Sequence, residues 1–370
     1  MLRFLCSVAI AFGSIVSLCA ADPVPLALGA PAPDFTLPGV DGRDWSLKDF
    51  DAAKVLVVVF TCNHCPTAQY YEERIKKLVT DYKDKGVAWV AISPNDPKSV
   101  RLNELGYTDL GDSFEEMKIR AQHRQFNFPY LYDGDTESVS RAYGPVATPH
   151  VFIFDAARKL RFAGRIDDSE REAFAQVHDT RNAIEALLAG MAPPVTQTKI
   201  VGCSVKWASK ADTTRSDQQK FATEAVKLEM VDADGLKALR KNNSGKVRLI
   251  GFWATWCAPC VAEFDEFVTI NRMYRQRDFE LVMVSLNRPD EELDVLGFLK
   301  KQQASNRNLI FSSPDRDKLI DAFDPTWVGA LPFTVLIAPN GEILHRELGS
   351  INPLELKRAI VPALNKLKPW

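Results

Sequence analysis

Short apolar runs alternate with longer amphipathic segments along the first half of the chain. Residues 55–60 form a continuous apolar run rich in β-branched valine, which is typical of a strand covered on both faces of a sheet. A segment with helical periodicity follows, and residues 87–92 predict the next strand. Ser113 begins a capping-box pattern for another helix, and residues 151–154 and 160–162 predict a hairpin. The first half is therefore predicted to alternate strands with helices.

The second half repeats this order. Its predicted elements are strand 247–252, helix 258–276, strand 279–285, helix 290–302, strands 333–337 and 343–347, and helix 353–367. Asn340-Gly341 favours a tight turn between the two late strands, because these residues accept positive φ angles. The repetition predicts an α/β protein in which a central mixed sheet flanked by helices occurs twice.

The chain length and a polar segment near its middle agree with two domains. A chain of 370 residues suits two domains of roughly 150 residues each. Residues 208–224 are polar and lack apolar periodicity, so they predict a linker. We expect the two domains to occupy residues 27–207 and 225–370.

The first residues are typical of an export signal. Arg3 precedes a stretch of apolar or small residues, 4–18, and Cys19-Ala20-Ala21 offers a cleavage site. We predict a signal peptide over residues 1–21 and a periplasmic or otherwise extracytoplasmic location, where disulfides persist. An uncleaved membrane anchor and a lipoprotein modified at Cys19 are the alternatives.

The overall composition excludes one class of partner. Apolar residues make up 46% of the chain and charged residues 25%, and the formal net charge is −2. This balance is that of a globular protein without the basic field that holds nucleic acid. We therefore expect no nucleic-acid partner.

The candidate chemistry is concentrated in two Cys-x-x-Cys motifs, Cys62–Cys65 and Cys257–Cys260. Each motif follows a predicted strand and precedes a predicted helix, which is the arrangement that activates a thiol, whereas a bare motif is also half of a zinc site. The free N–H groups and the dipole at a helix start favour the thiolate. We assign the first cysteine of each motif as the nucleophile and the second as the resolving thiol of disulfide exchange. Because the motifs lie far apart in the sequence, unlike the ligands of a zinc finger, we expect neither a metal site nor a cofactor.

Neighbouring residues are expected to tune the two motifs. His64 can place a proton or a charge beside the Cys62 sulfur, which would make the first site the more oxidising one. Pro259 fits the first turn of a helix, where its missing N–H breaks no hydrogen bond. Glu263 lies one turn after Cys260 and is either a proton carrier for dithiol chemistry or a solvated helix residue.

Two prolines stand at matching positions before late strands of the two halves, in the pairs Thr148-Pro149 and Leu331-Pro332. A cis X-Pro bond at these points would expose neighbouring backbone groups to an extended substrate beside the cysteines. Alternatively, each proline only begins a strand. Trp256, directly before the second motif, either lines the site or belongs to the core.

One cysteine is left over. Of the seven cysteines, Cys6 and Cys19 lie in the predicted signal peptide and four belong to the motifs, so Cys203 remains. It is either a third redox participant or an inert or intermolecularly paired thiol.

Five sequence segments of the first half occur together. They are Ala32-Pro33-Asp34-Phe35, Cys62-Asn63-His64-Cys65-Pro66, Thr148-Pro149 with Val151-Phe152-Ile153-Phe154-Asp155, Gly164-Arg165-Ile166-Asp167-Asp168, and Gly202-Cys203-Ser204-Val205-Lys206-Trp207. Together they resemble the redoxin proteins grouped with the alkyl hydroperoxide reductase/thiol-specific antioxidant (AhpC/TSA) family. The peroxide-reducing Pro-x-x-x-Thr-x-x-Cys pattern of that family is absent, because Val55 and Val59 occupy its places before Cys62. We expect little peroxidase activity.

A second resemblance covers residues 225–370. It is carried by Phe252-Trp253-Ala254-Thr255-Trp256-Cys257-Ala258-Pro259-Cys260 with Glu263, by Leu331-Pro332 and by Asn340-Gly341-Glu342. These segments resemble the TlpA-like extracytoplasmic thiol-disulfide oxidoreductases. The two resemblances imply two tandem thioredoxin-like folds, a substrate-facing cis-proline at Pro332 and a proton-handling role for Glu263. Thioredoxin itself has a buried acid where this chain has Gly251, so proton transfer here must rely on another group.

Motifs and resemblances together predict an exported thiol-disulfide oxidoreductase. Its two dithiol sites would exchange electrons with protein disulfides or relay them between the domains. A peroxiredoxin-like antioxidant and a binding protein with structural disulfides are the alternatives. The expected partners are protein thiols and disulfides and a membrane or exported redox protein, and the TlpA-like resemblance implies apocytochrome as one class of client.

Overall fold

A computed structural model describes residues 23–369 of the protein. The signal peptide predicted over residues 1–21 lies outside the described residues. Within the described range, no helix is both long enough and apolar enough to cross a membrane.

The strands are β1 Thr36–Pro38, β2 Asp44–Ser46, β3 Val55–Phe60, β4 Val87–Ser93, β5 Tyr130–Tyr132, β6 Ala147–Thr148, β7 His150–Phe154, β8 Leu160–Gly164, β9 Cys203–Ser204, β10 Glu229–Val231, β11 Val247–Trp253, β12 Phe279–Ser285, β13 Arg307–Phe311, β14 Phe333–Ile337 and β15 Ile343–Leu348. The helices are α1 Pro66–Tyr82, α2 Phe114–Arg124, α3 Ser138–Tyr143, α4 Asp179–Leu188, α5 Ala211–Gln219, α6 Ala233–Lys241, α7 Ala258–Tyr274, α8 Glu292–Lys301, α9 Arg316–Phe323 and α10 Pro353–Leu367.

The first sheet has five strands in the order β5-β4-β3-β7-β8. Strands β3, β4 and β5 are parallel, and β7 and β8 are antiparallel additions, so the sheet is mixed. The side chains of β3 enter two core clusters alternately, with Val57 in one and Val58 in the other. This double burial explains the continuous apolar run. The central strand therefore delivers the chain to Cys62 at the carboxyl edge of the sheet.

The second sheet has the same plan with one more strand, in the order β10-β13-β12-β11-β14-β15. Strand β11 is parallel to β12 and antiparallel to β14, so it occupies the place that β3 has in the first sheet. All its residues are buried. The prediction of central mixed sheets flanked by helices is confirmed in both halves. The sequence pattern missed short strands such as β5, β10 and β13.

The segment between the two sheets is helical. It contains α5, whose Thr214 hydroxyl donates a hydrogen bond of 3.2 Å to the carbonyl oxygen of Ser99. At its end, the Glu224 carboxylate accepts two hydrogen bonds of 2.7 Å from the Arg275 guanidinium. Residues 208–224 thus contact both domains instead of forming a free tether.

The two domains also contact each other directly. The buried Tyr274 hydroxyl at the end of α7 donates a hydrogen bond of 2.8 Å to the carbonyl oxygen of Thr108. The Arg277 guanidinium binds the carbonyl oxygen of Gly106 at 3.0 Å, and Leu105 packs against the core of the second domain. These interdomain contacts form a seam that holds the loop before α2 of the first domain against the C-terminal end of α7.

Candidate active sites

The helix after each motif begins at a different cysteine. Helix α1 begins at Pro66, and Cys65 is its N-cap residue with extended backbone angles of φ −70° and ψ 117°. Proline suits the first helical position and disfavours helical backbone in the residue before it, which explains this start. In the second domain the N-cap residue is Cys257. The expectation that Cys62 lies at the helix N-terminus is therefore wrong, because Cys62 lies in the loop before Cys65.

Thr148 contacts both sulfurs of the first motif. Its Oγ1 lies 3.1 Å from the Sγ of Cys62, and its carbonyl oxygen lies 3.2 Å from the Sγ of Cys65. The carbonyl contact favours a protonated Cys65, because only a thiol can donate to it. Both cysteines are buried, and the half-buried Cys203 packs against them. The structure thus brings together Thr148 and three cysteines of the first domain.

Asp112 is a candidate functional residue that the sequence analysis missed. Its carboxylate accepts hydrogen bonds from the backbone N–H groups of Asn63 and His64 at 2.9 and 3.0 Å. It also accepts hydrogen bonds from His64 Nδ1 at 2.5 Å and Asn95 Nδ2 at 2.7 Å. Asp112 lies 48 residues from His64 in the sequence, so only the folded loop before α2 brings them together. No sequence pattern marked this contact.

Asp112 favours the charged form of His64. Burial disfavours the imidazolium, but the Asp112 carboxylate outweighs it and raises the pKa of His64 above 6.5. Burial likewise disfavours the carboxylate, but the His64 charge and the hydrogen bonds lower the pKa of Asp112 below 3.8. The two residues therefore form a buried imidazolium–carboxylate pair beside the first motif.

The pKa of Cys65 is lowered and that of Cys62 is raised from the ordinary value of a thiol. Burial disfavours a Cys65 thiolate, but hydrogen bonds from the Cys203 and Cys62 thiols and from the Ala68 N–H lower its pKa well below 9.0. The His64 charge acts in the same direction. Burial, together with the hydrogen bond to Cys65, raises the pKa of Cys62 well above 9.0. The N-cap position of Cys65 agrees with this assignment, and its donors outweigh the single carbonyl contact.

Cys62, His64 and Asp112 also offer a sulfur, a nitrogen and an oxygen atom within 4.8 Å of one another, a spacing that could hold a metal ion. The Asp112 carboxylate, however, already accepts four hydrogen bonds, which is the full capacity of its two oxygens. An ion would have to replace some of these bonds. We therefore assign the three residues to thiol chemistry.

In the second motif, Cys257 and Cys260 form a disulfide at the start of α7. Pro259 lies in the first turn of this helix, as predicted. The Trp256 side chain is 53% exposed, with the Arg316 guanidinium 5.3 Å from its ring centre. Trp256 therefore forms part of the surface beside the disulfide.

Glu263 is half-buried in the first turns of α7. Its carboxylate accepts a hydrogen bond of 3.0 Å from the backbone N–H of Ile351. Burial raises the pKa of Glu263 above 4.5, although this hydrogen bond acts in the opposite direction. At Gly251 an added Cβ atom would lie 2.8 Å from the Sδ of Met283, so a side chain there would have to displace the end of that methionine. Glu263 is thus a half-buried carboxylate on the helix that begins at this motif.

The two proline loops occupy equivalent places but differ in what covers them. Both bonds, Thr148-Pro149 and Leu331-Pro332, are cis. In each sheet the residue after the proline pairs with the end of the central strand, which puts the loop at the edge where the cysteines lie. In the first domain β9 pairs with β6, with Cys203 opposite Thr148. None of the strands between residues 23 and 369 pairs with Leu331.

Comparisons with known proteins agree with a tandem arrangement. Residues 28–163 match the AhpC/TSA family, and residues 217–360 match the redoxin family. The thiol-disulfide oxidoreductase ResA of Oceanobacillus iheyensis is 35% identical over 99 residues, which cover 27% of this chain and 47% of that protein. The match therefore spans about half the length of that relative.

Two further proteins are similar to this chain. The thiol-disulfide oxidoreductase ResA of Bacillus subtilis (strain 168) is 26% identical over 148 residues, which cover 40% of this chain and 75% of that protein. A hypothetical protein of Sinorhizobium meliloti 1021 of known structure is 33% identical, with a TM-score of 0.45, and the match covers 50% of this chain and 97% of that one.

The two family matches lie on the two sheets, one in each half of the chain, and the related proteins with names are thiol-disulfide oxidoreductases. The predicted tandem is thereby confirmed. The chain carries two tandem domains, the first matching the AhpC/TSA family and the second the redoxin family, and it is similar to thiol-disulfide oxidoreductases.

Proposed function

We propose that the protein is a thiol-disulfide oxidoreductase with two dithiol sites, Cys62–Cys65 and Cys257–Cys260. One observation carries the proposal: each pair follows the central strand of its own sheet, at the edge where an X-Pro loop also lies. In the second domain a sulfur at this edge is close to backbone that an extended client can pair with, and in the first domain β9 of the chain itself pairs at the equivalent edge. Two such edges support two exchange sites.

The two sites use their cysteines differently. In the second domain Cys257 caps α7, so it is the attacking thiolate after reduction and Cys260 resolves the mixed disulfide. In the first domain the pKa order and the N-cap position support Cys65 as the thiolate, with Cys62 as its disulfide partner. This reverses the roles expected from the sequence in the first motif.

The first site is proposed to be the more oxidising one. A dithiol becomes a stronger oxidant when its thiolate is stabilised, because the reduced form is then favoured. The Cys65 thiolate has the His64 imidazolium nearby, and that charge is maintained by Asp112. Electrons would then flow downhill from partners of the second site toward the first site.

Clients are proposed to meet the second site directly. The Leu331-Pro332 loop is free of a paired strand in the part of the chain that the structure describes, and the exposed Trp256 ring provides an apolar surface for an extended client. The client class is protein disulfides or thiols, with apocytochrome as one example. A membrane or exported redox protein would complete the electron path, in an extracytoplasmic compartment.

A direct relay between the two sites is disfavoured in this arrangement. The seam contacts α7 at Tyr274, at the opposite end of the helix from Cys257. Seventeen residues of α-helix span about 25 Å at about 1.5 Å per residue. The seam therefore does not bring Cys257 to the first domain, and we propose that partners carry electrons between the sites.

Reduction potentials test the proposal. Three proteins would be equilibrated at pH 7 in defined thiol buffers: the wild type, Cys62→Ser/Cys65→Ser and Cys257→Ser/Cys260→Ser. The rate at which each protein reduces insulin disulfides would also be measured. We expect each pair to titrate between about −120 and −270 mV, with the first pair less negative than the second. Each double variant is the control for the other, because each keeps one intact pair whose potential should match that of the wild type. Pairs that do not react, or that titrate below about −300 mV, would identify structural disulfides instead.

Glu263→Gln tests proton transfer at the second site. Glutamine keeps the acceptor for the Ile351 N–H but cannot titrate, so disulfide exchange at pH 7 should slow at least about tenfold, since general acid–base catalysis contributes about 10²- to 10⁴-fold. In the Cys62→Ser/Cys65→Ser background, adding Glu263→Gln should also remove one titration step from the pH–rate profile. Because the pKa of Glu263 is raised, its stabilising contribution is complete below 4.5 and is lost as the pH rises through the raised value. The variant should therefore be no less stable than the wild type at pH 7.

The control for this variant is Glu266→Gln, one turn further along α7. Its carboxylate lies 3.9 Å from the Lys357 amine and is partly exposed. Its rate and profile should match the parent protein. Equal exchange rates and equal pH–rate profiles for Glu263→Gln and Glu266→Gln would show that Glu263 transfers no proton in the exchange reaction.

A further inference from the structure

We propose that Cys203 is the third member of the first redox site, the thiol through which the buried Cys62–Cys65 pair exchanges electrons with proteins in solution. This inference rests on the proposed function of the first domain and names the entry point to its site.

The first observation is the position of β9. Strand β9 pairs antiparallel with β6 and places Cys203 opposite Thr148, the residue before Pro149. This is the edge at which the sequence analysis expected an extended client to pair. In the first domain a segment of the chain itself occupies the edge, with a cysteine at the point nearest the motif. Cys203 therefore has the position that a client cysteine would have.

The second observation is how closely the segment approaches the proline loop. A Cβ atom at Gly202 would lie 2.1 Å from the carbonyl oxygen of Thr148, so only glycine permits this approach. After the cysteine, Val205 and Trp207 are buried in the domain, and the Lys206 N–H donates a hydrogen bond of 2.9 Å to Asn95. The segment is thus fixed on both sides of Cys203.

The third observation is the arrangement of the sulfurs. Cys65 is fully buried and Cys62 is 3% exposed, whereas Cys203 is half-buried and packs against both. The neighbouring Cys65 sulfur, together with burial, raises the pKa of the Cys203 thiol, so Cys203 is the protonated member beside Cys65. A protein disulfide cannot reach the two buried sulfurs without opening the fold. Cys203 is the most exposed of these three cysteines, so it is the one that a client meets first.

The exchange steps balance through the contact between Cys203 and the motif cysteines. The Cys203 proton passes to the Cys65 thiolate, and the Cys203 sulfur attacks the client disulfide, forming a mixed disulfide and releasing one client thiolate. That thiolate takes the proton back from Cys65. The Cys65 thiolate then attacks Cys203, which forms the Cys65–Cys203 disulfide and releases the second client thiolate.

A final exchange moves the disulfide inward. The Cys62 sulfur attacks Cys65 as its proton leaves for the second client thiolate, and Cys203 departs as a thiolate that is reprotonated from solvent. In total the client disulfide gains two electrons and two protons and becomes a dithiol, and Cys62–Cys65 becomes a disulfide. Cys203 returns to its starting state, so it changes the rate of exchange and not the equilibrium. The same steps in reverse oxidise a client dithiol.

A trapping experiment tests the covalent partner. In full-length protein with serine at positions 6, 19, 257 and 260, the three cysteines of the first domain remain. Cys62→Ser in this background, treated with oxidised glutathione, should form an intramolecular Cys65–Cys203 disulfide, detected by peptide mass mapping without reduction. The matched variant Cys65→Ser should carry glutathione on Cys203 instead. Equal amounts of intramolecular disulfide in the two variants, or none in the first, would overturn the assignment.

A rate experiment tests the role in exchange. In the three-cysteine background, Cys203→Ser should slow oxidation of the Cys62–Cys65 pair by insulin disulfides at least about tenfold, while its reduction potential stays within experimental error. Serine keeps a hydroxyl donor for the Cys65 sulfur but cannot form a disulfide, so a potential that changes together with the rate would indicate a structural role only. Gly202→Ala keeps all three thiols and should slow exchange similarly, because the added Cβ displaces Cys203 from Thr148.

The outcomes separate this inference from the proposed function. If the three-cysteine protein exchanges with insulin and Cys203→Ser does so equally fast, the entry role of Cys203 is wrong and the function of the first domain stands. If the three-cysteine protein itself does not exchange, the proposed function of the first domain fails.

Discussion

Replacement of Asp112 by asparagine is expected to destabilise the first domain by about 3–5 kcal/mol, the usual cost of breaking a buried ion pair. The asparagine amide would direct its N–H groups at His64 Nδ1 and Asn95 Nδ2, both of which donate to Asp112 in the native protein. Without the carboxylate, burial dominates, so the pKa of His64 should fall below its ordinary value of 6.5.

The same substitution should bring the two cysteine pKa values together. Cys65 loses the His64 charge that helps to lower its pKa, and Cys62 loses the Asp112 charge that helps to raise its pKa. Because the Cys65 thiolate becomes less stable, the pair should become more reducing. A tenfold loss of thiolate stabilisation corresponds to about 30 mV.

The pH dependence of this stabilisation has a defined window. The pKa of His64 is raised, so its contribution is complete below 6.5 and is lost as the pH rises through the raised value. The pKa of Asp112 is lowered, so its contribution is present above 3.8 and is lost as the pH falls through the lowered value. The difference in stability between wild type and Asp112→Asn should therefore be largest between 3.8 and 6.5.

Urea unfolding read by hydrogen exchange in β3 peptides measures the stability of the first domain alone. The pH dependence of iodoacetamide alkylation, read by peptide mass, gives the two cysteine pKa values. Asp133→Asn is the matched control, because Asp133 is also buried and accepts the N–H and hydroxyl of Ser140 at 2.6 Å each. Asp133→Asn should lower the stability of the first domain without changing the pKa of Cys62 or Cys65. An Asp112→Asn protein with an unchanged Cys65 pKa would show that the ion pair does not tune the thiol.

The central strands and the helices after the motifs could be predicted because their signals are local. The run at 55–60 is apolar on both faces, and the matching order of elements in the two halves required no long-range information. The later start of α1 was also visible in the sequence, since Pro66 directly follows Cys65. Short edge strands such as β10 carry too few residues to show a period of two.

The missed parts of the site depend on contacts between distant segments. Asp112 has the surroundings of an ordinary loop residue in the sequence, and its role arises only where the fold places it under the first motif. Cys203 was recognised as an odd thiol, but its pairing opposite Thr148 depends on a two-residue strand at the end of the domain. Neither contact has a periodicity or a spacing that a single sequence reveals.

The stability of the first domain is expected to fall by about 3 kcal/mol between pH 6.5 and pH 4 because of His150 alone. This residue begins β7 and is 2% exposed, its ring lies 4.3 Å from the Phe152 ring, and its Nδ1 accepts a hydrogen bond from the Val146 N–H. Burial lowers the pKa of His150 from 6.5 to about 4. In this interval the unfolded chain binds a proton that the folded domain does not, so acid favours unfolding.

His150→Gln separates this contribution from other acid effects, because glutamine keeps an acceptor for the Val146 N–H and does not titrate. The variant should be less stable than the wild type at pH 7, since it loses the packed ring, and the difference should narrow by about 3 kcal/mol on acidification to pH 4. His123→Gln, on the exposed side of α2, is the control that removes a histidine without emptying a buried site. Hydrogen exchange of β3 peptides in urea, at several pH values, measures the stability of the first domain in the wild type and in both variants. The difference in unfolding free energy between wild type and His150→Gln could also be independent of pH. In that case His150 would gain its proton in the folded domain as readily as in the unfolded chain. The interior beside Pro149 would then be open to water.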